Sequence, residues 1–505
     1  MKRFESVGLL HIAALLATVL TAYLPQLYEF VGTDIGVYYE IGRRLATDGR
    51  LELWGNYWDH KPPLIYLYFA IFSHLDALLG DTSGLKLGAL CAYSGLTLLA
   101  YRALSIARPT DNRILAALGS AAATSLVLGW LDPVANGILM VSALICAFSG
   151  LVLCADGKRD TTVFLGGALI GLAPFLRPTA LTALPFMLTL LFLEYRKTGE
   201  RRRLWLALSG AVMVAGGCAL WLLTFGGSAV FDSLIHYNAD YGSRARSTTA
   251  VADFFFQDPI ALCLAGVLLT SGVASLSCAT SPHRSISLVL WAWALTEVAS
   301  IVFQRKIQSF YLFGFILPLL LAFTYSALNA TQTFRTIAAV LLSTILAGTL
   351  GYSAHKLDLR ILQNPLVSQH TQKTNAIAQI MSAQNCKGVP NDVLVYGNRA
   401  QIYTHAAAVG IRPYSWTVFL NPVVDGSLFA DRQRQLVDSL TANPASFIVY
   451  VGGDGWSPNI GGRIEKIEAL IKQRYTAIPV AQTGGLETPY NYQYRLYRKA
   501  ECAEQ

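Results

Sequence analysis

Charge is scarce in this chain. Of its 505 residues, 14% are Asp, Glu, Lys or Arg and 53% are hydrophobic. An ordinary soluble domain carries about 25% charged residues, so the deficit argues against one. The hydrophobic residues come in continuous runs rather than in alternation, which argues against a transmembrane β-barrel. No CxxC pair occurs among the eight cysteines, so a zinc site has no support. "GGDG" (452–455) follows a strand-like run but lacks the spacing of a nucleotide-binding loop, and it reads as a turn. Internal repeats of the kind that build many transporters are missing. The formal charge of +8 fits the basic loops of a membrane protein and implies no nucleic-acid partner.

What is present is a series of apolar segments between residues 8 and 354. Many reach the roughly 20 residues that cross a bilayer. The expected class is therefore a polytopic α-helical membrane protein. The first segment, behind Lys2 and Arg3, is long for a signal peptide and reads as an uncleaved span. Basic residues gather on the cytoplasmic side of membrane proteins. If segment 63–80 crossed the membrane, Arg102, Arg108, Arg113 and "YRKTGERRR" (195–203) would fall outside. If it lies along the outer interface or re-enters, all of these fall inside, together with Lys158, Arg159 and Arg284. The second arrangement gives about eleven spans plus juxtamembrane segments over residues 1–355, in a plasma or inner membrane.

From residue 356 the composition changes. "DVLVYG" (392–397), "SFIVYVGG" (446–453) and "YNYQYRLYRK" (490–499) read as strands. "ADRQRQLVDSLTAN" (430–443) and "GRIEKIEALIKQRY" (462–475) read as helices. Residues 356–505 are thus expected to form a small α/β domain, extracytoplasmic by the same charge argument. Cys386 and Cys502 flank it. An oxidising compartment permits a bridge between them, and two unrelated thiols fit the sequence as well.

One stretch breaks the apolar pattern: "TDIGVYYEIGRRLATDGRLELWGNYWDHKPPLIYL" (33–67). Asp34 follows the first span at once, either as an acid in interfacial water or as a functional carboxylate. "YYEIGRRLATDG" has the pattern of an amphipathic helix on the membrane surface, with Arg43 and Arg44 facing headgroups or a lipid-linked phosphate. Two prolines fix the backbone beside Lys61. Snorkelling accounts for Lys61 equally well, and an aromatic belt for Trp54, Tyr57 and Trp58. Asp132, in "LGWLDPVANGILM", is a natural N-cap for the helix begun by Pro133. The charge argument also puts it on the same face as Asp34 and Lys61. Two acids and a lysine on one face form a catalytic pattern. The loop 226–257 adds His236, Tyr237, Asp240, Tyr241, Arg244 and Arg246 on that face. "QRKIQSFY" puts Arg305 and Lys306 there against the charge trend, which suggests an anionic partner such as a phosphate.

With these residues in view, the chain resembles the GT-C glycosyltransferases that use polyprenyl-phosphate sugars. The likeness is to the bacterial group containing protein O-mannosyltransferases and the lipid A aminoarabinose transferase. It rests on Asp34, "HKPPLIY" (60–66), "LDP" (131–133) and "RKIQSFYLFGFILPLLL" (305–321), and spans roughly residues 5–330. It implies an inverting sugar transfer on the extracytoplasmic face from an undecaprenyl-type phosphate. Asp34 would be the general base. Asp132 would orient a substrate or share that role. Lys61, with Arg305 or Lys306, would hold the departing phosphate. The acceptor would be a glycolipid, a polysaccharide or a protein. The family often has an acid directly after its first Asp, where Ile35 stands here, so a metal-binding DxD is not supported. No cofactor is expected, and a divalent-metal dependence is left open. A lipid-linked-sugar flippase and a non-catalytic assembly scaffold are the competing classes. The charges cluster at one interface, which favours the enzyme.

Overall fold

Among the described residues, long apolar helices and one small sheet make up the structure. A computed structural model describes residues 8–27, 33–48, 59, 61–79, 82–107, 113–130, 137–236, 259–276, 281–303, 312–362, 376–381, 383–384, 392–397, 402–403, 409–410, 426–452, 465–479 and 493–502. The helices of the first 362 residues are α1 (Gly8–Leu27), α2 (Thr33–Asp48), α3 (Leu64–Ser73), α4 (Asp76–Leu79), α5 (Ser83–Ala107), α6 (Arg113–Trp130), α7 (Ile138–Asp156), α8 (Asp160–Leu176), α9 (Ala183–Thr198), α10 (Arg201–Val230), α11 (Pro259–Leu276), α12 (Ser281–Phe303), α13 (Leu312–Leu328) and α14 (Gln332–Leu362). A 3-10 turn, Pro178–Thr182, joins α8 to α9. Then follow β1 (Asp392–Tyr396), β2 (Val409–Gly410), α15 (Gly426–Ala442), β3 (Phe447–Gly452), α16 (Glu465–Arg474), β4 (Tyr475–Ile478) and β5 (Gln493–Lys499).

Among the described residues, six helices are long and apolar enough to cross a membrane: α1, α5, α7, α10, α12 and α14. Shorter apolar helices stand among them, including α8 and α13. The chain is a polytopic α-helical membrane protein with a small C-terminal α/β domain. Segment 63–80 does not make one continuous span. Its helix α3 has ten residues and stops at Ser73, before the four-residue α4. Ten residues of helix reach about 15 Å, half of a hydrocarbon core.

Contacts divide the chain into two compact units. One comprises Met1–Tyr28, Gly88–Phe225 and Ala245–Leu359. Within it α7 and α8 pack closely through small residues. A Cβ added at Gly150 would lie 2.4 Å from the carbonyl oxygen of Gly166, so only glycine permits this approach. Without a hydrophobic driving force in lipid, such close backbone packing is a main source of helix association.

The other unit comprises Glu29–Leu87, Gly226–Arg244 and Arg360–Gln505. It therefore joins the stretch between the first two long apolar helices to the C-terminal domain. The sheet has the order β2-β1-β3-β5-β4. β1 is parallel to β2 and β3, while β5 runs antiparallel to β3 and β4. The central strands carry the core: Val393, Leu394, Val395, Phe447, Ile448 and Val449 are all buried. The three expected strands and two expected helices are present, with β2 and β4 added. Cys386 lies outside the described residues, so the bridge to Cys502 does too.

Candidate functional site

The stretch that follows α1 builds a compact aromatic cradle. α2 has no β-branched run, and its apolar residues are dense enough that Ile35 through Gly42 are all buried. This departs from an amphipathic helix lying on a membrane surface. The reason is packing: α3 covers α2 at backbone distance. A Cβ on Gly42 would sit 2.5 Å from Phe69 Cβ and 2.9 Å from the Ala70 nitrogen. Tyr38, Tyr39, Tyr66 and Phe69 are fully buried around this crossing. Each such side chain contributes about 1.5–3 kcal/mol of transfer free energy. The Tyr39 ring stands edge-on to Phe69, at a centroid separation of 6.3 Å.

Three carboxylates anchor the cradle. Asp59 is completely buried and accepts a hydrogen bond from the Tyr66 hydroxyl. Asp76 accepts from the Tyr39 hydroxyl, and its other oxygen accepts from the Gly84 amide at 2.8 Å. Glu40, 1% exposed, faces two guanidinium groups. Arg43 donates to Glu40 Oε2 from Nε at 3.0 Å and from Nη2 at 2.5 Å. Arg44 Nε donates to Glu40 Oε1 at 3.1 Å. Burial pushes the Glu40 carboxyl above the usual carboxylate range, and the two arginines pull it back part of the way. The charge of Glu40 also reaches Tyr403 of the C-terminal domain. Burial raises the Tyr403 hydroxyl, which accepts a hydrogen bond from the Val395 amide at 2.8 Å.

Lys61 borders this aromatic cluster. The half-buried connection that carries it runs through buried Pro62 and Pro63 into α3. Its ammonium lies 5.9 Å from the centre of the Tyr38 ring. Asp34 is the second residue of α2, one helical turn before Tyr38. The expected acid and the expected lysine therefore belong to adjacent elements of one unit. Arg43 and Arg44 are on the same helix and are already engaged by Glu40. Asp132, Tyr237, Asp240, Tyr241, Arg244, Arg305 and Lys306 lie outside the described residues.

The other unit contains a polar cluster that the sequence reading missed. Glu297 on α12 is 6% exposed and Arg177, at the end of α8, 8% exposed. Glu297 Oε1 accepts from the Thr182 hydroxyl at 2.5 Å and from the Trp293 indole at 3.0 Å. Arg177 is near enough to attract it electrostatically, and donates from Nε to Thr179 Oγ1 at 2.8 Å. Ionisable groups inside a helical membrane bundle are costly and mark functional positions. The signal was visible: Glu297 is a lone acid in the apolar run "WAWALTEVASIVF". Among the described residues no three His, Cys, Asp or Glu side chains converge as metal ligands would.

Comparison with solved structures gives the fold relationship. ArnT from Cupriavidus metallidurans bound to undecaprenyl phosphate superposes with a TM-score of 0.59 at 14% identity, over 98% of each chain. Its apo state gives 0.56 at 13% identity, over the same shares. The apo oligosaccharyltransferase of Archaeoglobus fulgidus gives 0.52 at 13% identity, covering 98% of this chain and 75% of that one. No family profile and no curated protein sequence matches. At these identities the likeness establishes a shared fold, the GT-C membrane fold that the sequence resemblance implies.

Proposed function

We propose that the chain is an inverting glycosyltransferase that moves a sugar from a polyprenyl phosphate to an envelope acceptor on the extracytoplasmic face. The observation that carries this reading is the α2–α3 cradle. It brings Lys61 over Tyr38, one turn along α2 from Asp34. An acid and a cation on neighbouring, tightly packed elements suit a reaction in which a proton leaves one group as negative charge develops on another. The shared fold with ArnT, which was crystallised with undecaprenyl phosphate, supports the donor class.

In this mechanism the acceptor hydroxyl attacks the anomeric carbon from the side opposite the phosphate. Asp34 takes the hydroxyl proton. The bond between the anomeric carbon and the phosphate oxygen breaks, and its electron pair leaves on the polyprenyl phosphate. A positioned base of this kind contributes typically about 10²–10⁴-fold. Lys61 stabilises the leaving phosphate, together with Arg305 or Lys306 and with Arg43 and Arg44 where Glu40 shares them. Asp132 orients a substrate, and the loop bearing Tyr237, Asp240, Tyr241 and Arg244 contacts the acceptor or the sugar. The C-terminal domain, in the same compact unit as α2 and α3, is the natural platform for acceptor choice.

The test uses purified protein in vesicles containing a polyprenyl-phosphate sugar and an envelope lipid and protein extract, read by mass spectrometry. Wild type should add a sugar to an acceptor, and a folded Asp34→Asn protein should lose about 10²-fold or more of that rate. Near-wild-type transfer by Asp34→Asn would remove the base assignment. Lipid movement without any transfer would identify a flippase instead.

A further inference from the structure

The membrane unit holds a cavity of about 490 Å³ between α5, α7, α9, α12 and α13. That is within the range of ligand pockets, about 300–1,000 Å³. Its apolar lining includes Phe148, Met187, Leu290, Leu321 and Trp293, each at most 7% exposed. Its polar lining includes Arg196, which is exposed, and His283, whose Nδ1 is 2.8 Å from the Tyr325 hydroxyl. From His283 to Trp293 is ten residues of one helix, about 15 Å. The cavity thus combines a cationic residue and a histidine near one end of α12 with apolar side chains up to about 15 Å along the same helix.

The polar lining lies at the end of the bundle where basic residues collect. The C-termini of α5, α7, α9 and α13 and the N-termini of α8, α10 and α12 meet at this end. Lys158, Arg159, Arg196 and Arg284 are exposed on it. Among the described side chains its acids are paired: Asp156 with Arg102 at 2.5 Å, Asp160 with Arg202 at 2.5 Å, and Glu200 with Arg203 at 2.9 Å. The exposed Lys158, Arg159, Arg196 and Arg284 thus offer positive charge to a headgroup at this end.

We infer that this cavity binds one acyl chain of an anionic glycerophospholipid, with its phosphate at Arg196 and His283 and its chain running to Trp293. Basic pockets between membrane helices hold anionic headgroups for this reason. The occupant is a bilayer lipid rather than the sugar carrier, because a polyprenyl chain is several times longer than the cavity. The bound chain has a consequence for the rest of the unit. It presses on Trp293, the hydrogen-bond donor to Glu297, and so supports the buried polar cluster from below.

The test is tryptophan quenching by brominated lipid chains in reconstituted vesicles. Two mixtures of phosphatidylcholine and phosphatidylglycerol are compared at equal bromine content, with the bromine on one lipid or on the other. Brominated phosphatidylglycerol should quench more strongly, and Trp293→Phe should remove that excess. Arg196→Gln, at an exposed position, should lower the preference about five-fold without unfolding the protein. Equal quenching by both lipids overturns the proposal, as does an excess that survives Trp293→Phe or is untouched by Arg196→Gln. Relief of quenching by a small fraction of undecaprenyl phosphate would assign the cavity to the carrier, and the proposal would fall.

Discussion

Replacing Gly42 by alanine adds a single methyl group at the tightest point between α2 and α3. The new Cβ would sit 2.5 Å from Phe69 Cβ, 2.9 Å from the Ala70 nitrogen and 3.0 Å from the Phe69 carbonyl carbon. Carbon atoms prefer about 3.5–4.0 Å, so α3 must move by about 1 Å. Two of the three obstructing atoms are backbone, and no rotamer change clears them. Overpacking of this kind costs about 1–3 kcal/mol, and a rigid obstacle puts the site at the upper end. Against this, alanine gains about 1 kcal/mol over glycine as a helix former. The net loss is about 2 kcal/mol, or a fall of ~4–8 °C in apparent melting temperature for a unit of this size. Activity should fall further. Moving α3 displaces Lys61 from Tyr38, and a misplacement of about 1 Å in a catalytic array costs on the order of 10²-fold. Gly217→Ala is the control, since a Cβ there meets nothing within 4 Å. It should leave melting unchanged or raise it slightly. Fluorescence-detected melting of both variants in detergent, with transfer rates beside it, decides the matter. If Gly42→Ala melts with Gly217→Ala, at or above wild type, the close α2–α3 contact is not what holds this unit.

Lys61→Ala and Arg305→Ala or Lys306→Ala should raise the KM for the polyprenyl-phosphate donor more than they change the melting temperature; if none of the three changes donor KM, the phosphate is held elsewhere. Impermeant thiol labelling on a cysteine-free background should reach Gly242→Cys from outside the cell and not Arg108→Cys, and the reverse pattern would invert the proposed orientation. Burial raises the Glu40 carboxyl, so the folded unit holds that proton to higher pH than the unfolded chain does. Its stability should therefore fall as pH rises from the ordinary carboxylate value through the raised one, and Glu40→Gln should flatten that part of a melting-versus-pH curve. An unchanged curve would show that Arg43 and Arg44 compensate Glu40 in full.

Much of the fold was legible because its signals are local. A bilayer imposes long apolar runs, and α1, α5, α7, α10, α12 and α14 follow them. The strands β1, β3 and β5 carry alternating or β-branched runs bounded by turn residues, and they form within a few residues of the expected limits. β2 and β4 were missed because two and four residues hold no periodic signal, and their pairing depends on neighbours distant in sequence. That 63–80 is not one continuous span could be inferred only through the charges of other loops. The α2 pattern misled for the opposite reason: its polar residues looked solvent-facing, but Tyr39, Glu40 and Asp76 satisfy one another or nearby partners inside the unit.

The same distinction separates the site residues that sequence can name from those it cannot. Glu40 lies three and four residues before Arg43 and Arg44, a spacing that pairs side chains on any helix. The cation pair therefore carried its own counter-ion in the sequence, and a reading of arginines as free phosphate ligands has to account for it. Glu297 and Arg177 are different. They are separated by 120 positions in the numbering and belong to different helices, so no spacing rule joins them. The sequence marks each as a charge in an apolar run, which is expensive unless it is met by a partner. The fold supplies that partner through the turn Pro178–Thr182, which carries Thr179 to Arg177 and Thr182 to Glu297. Both Glu297→Leu and Glu297→Gln remove the charge that attracts Arg177, but Leu also removes the acceptor of Thr182 and Trp293. Glu297→Leu should therefore lower the melting temperature in detergent more than Glu297→Gln, which keeps one acceptor, and equal melting of the two would refute this role of the acceptor.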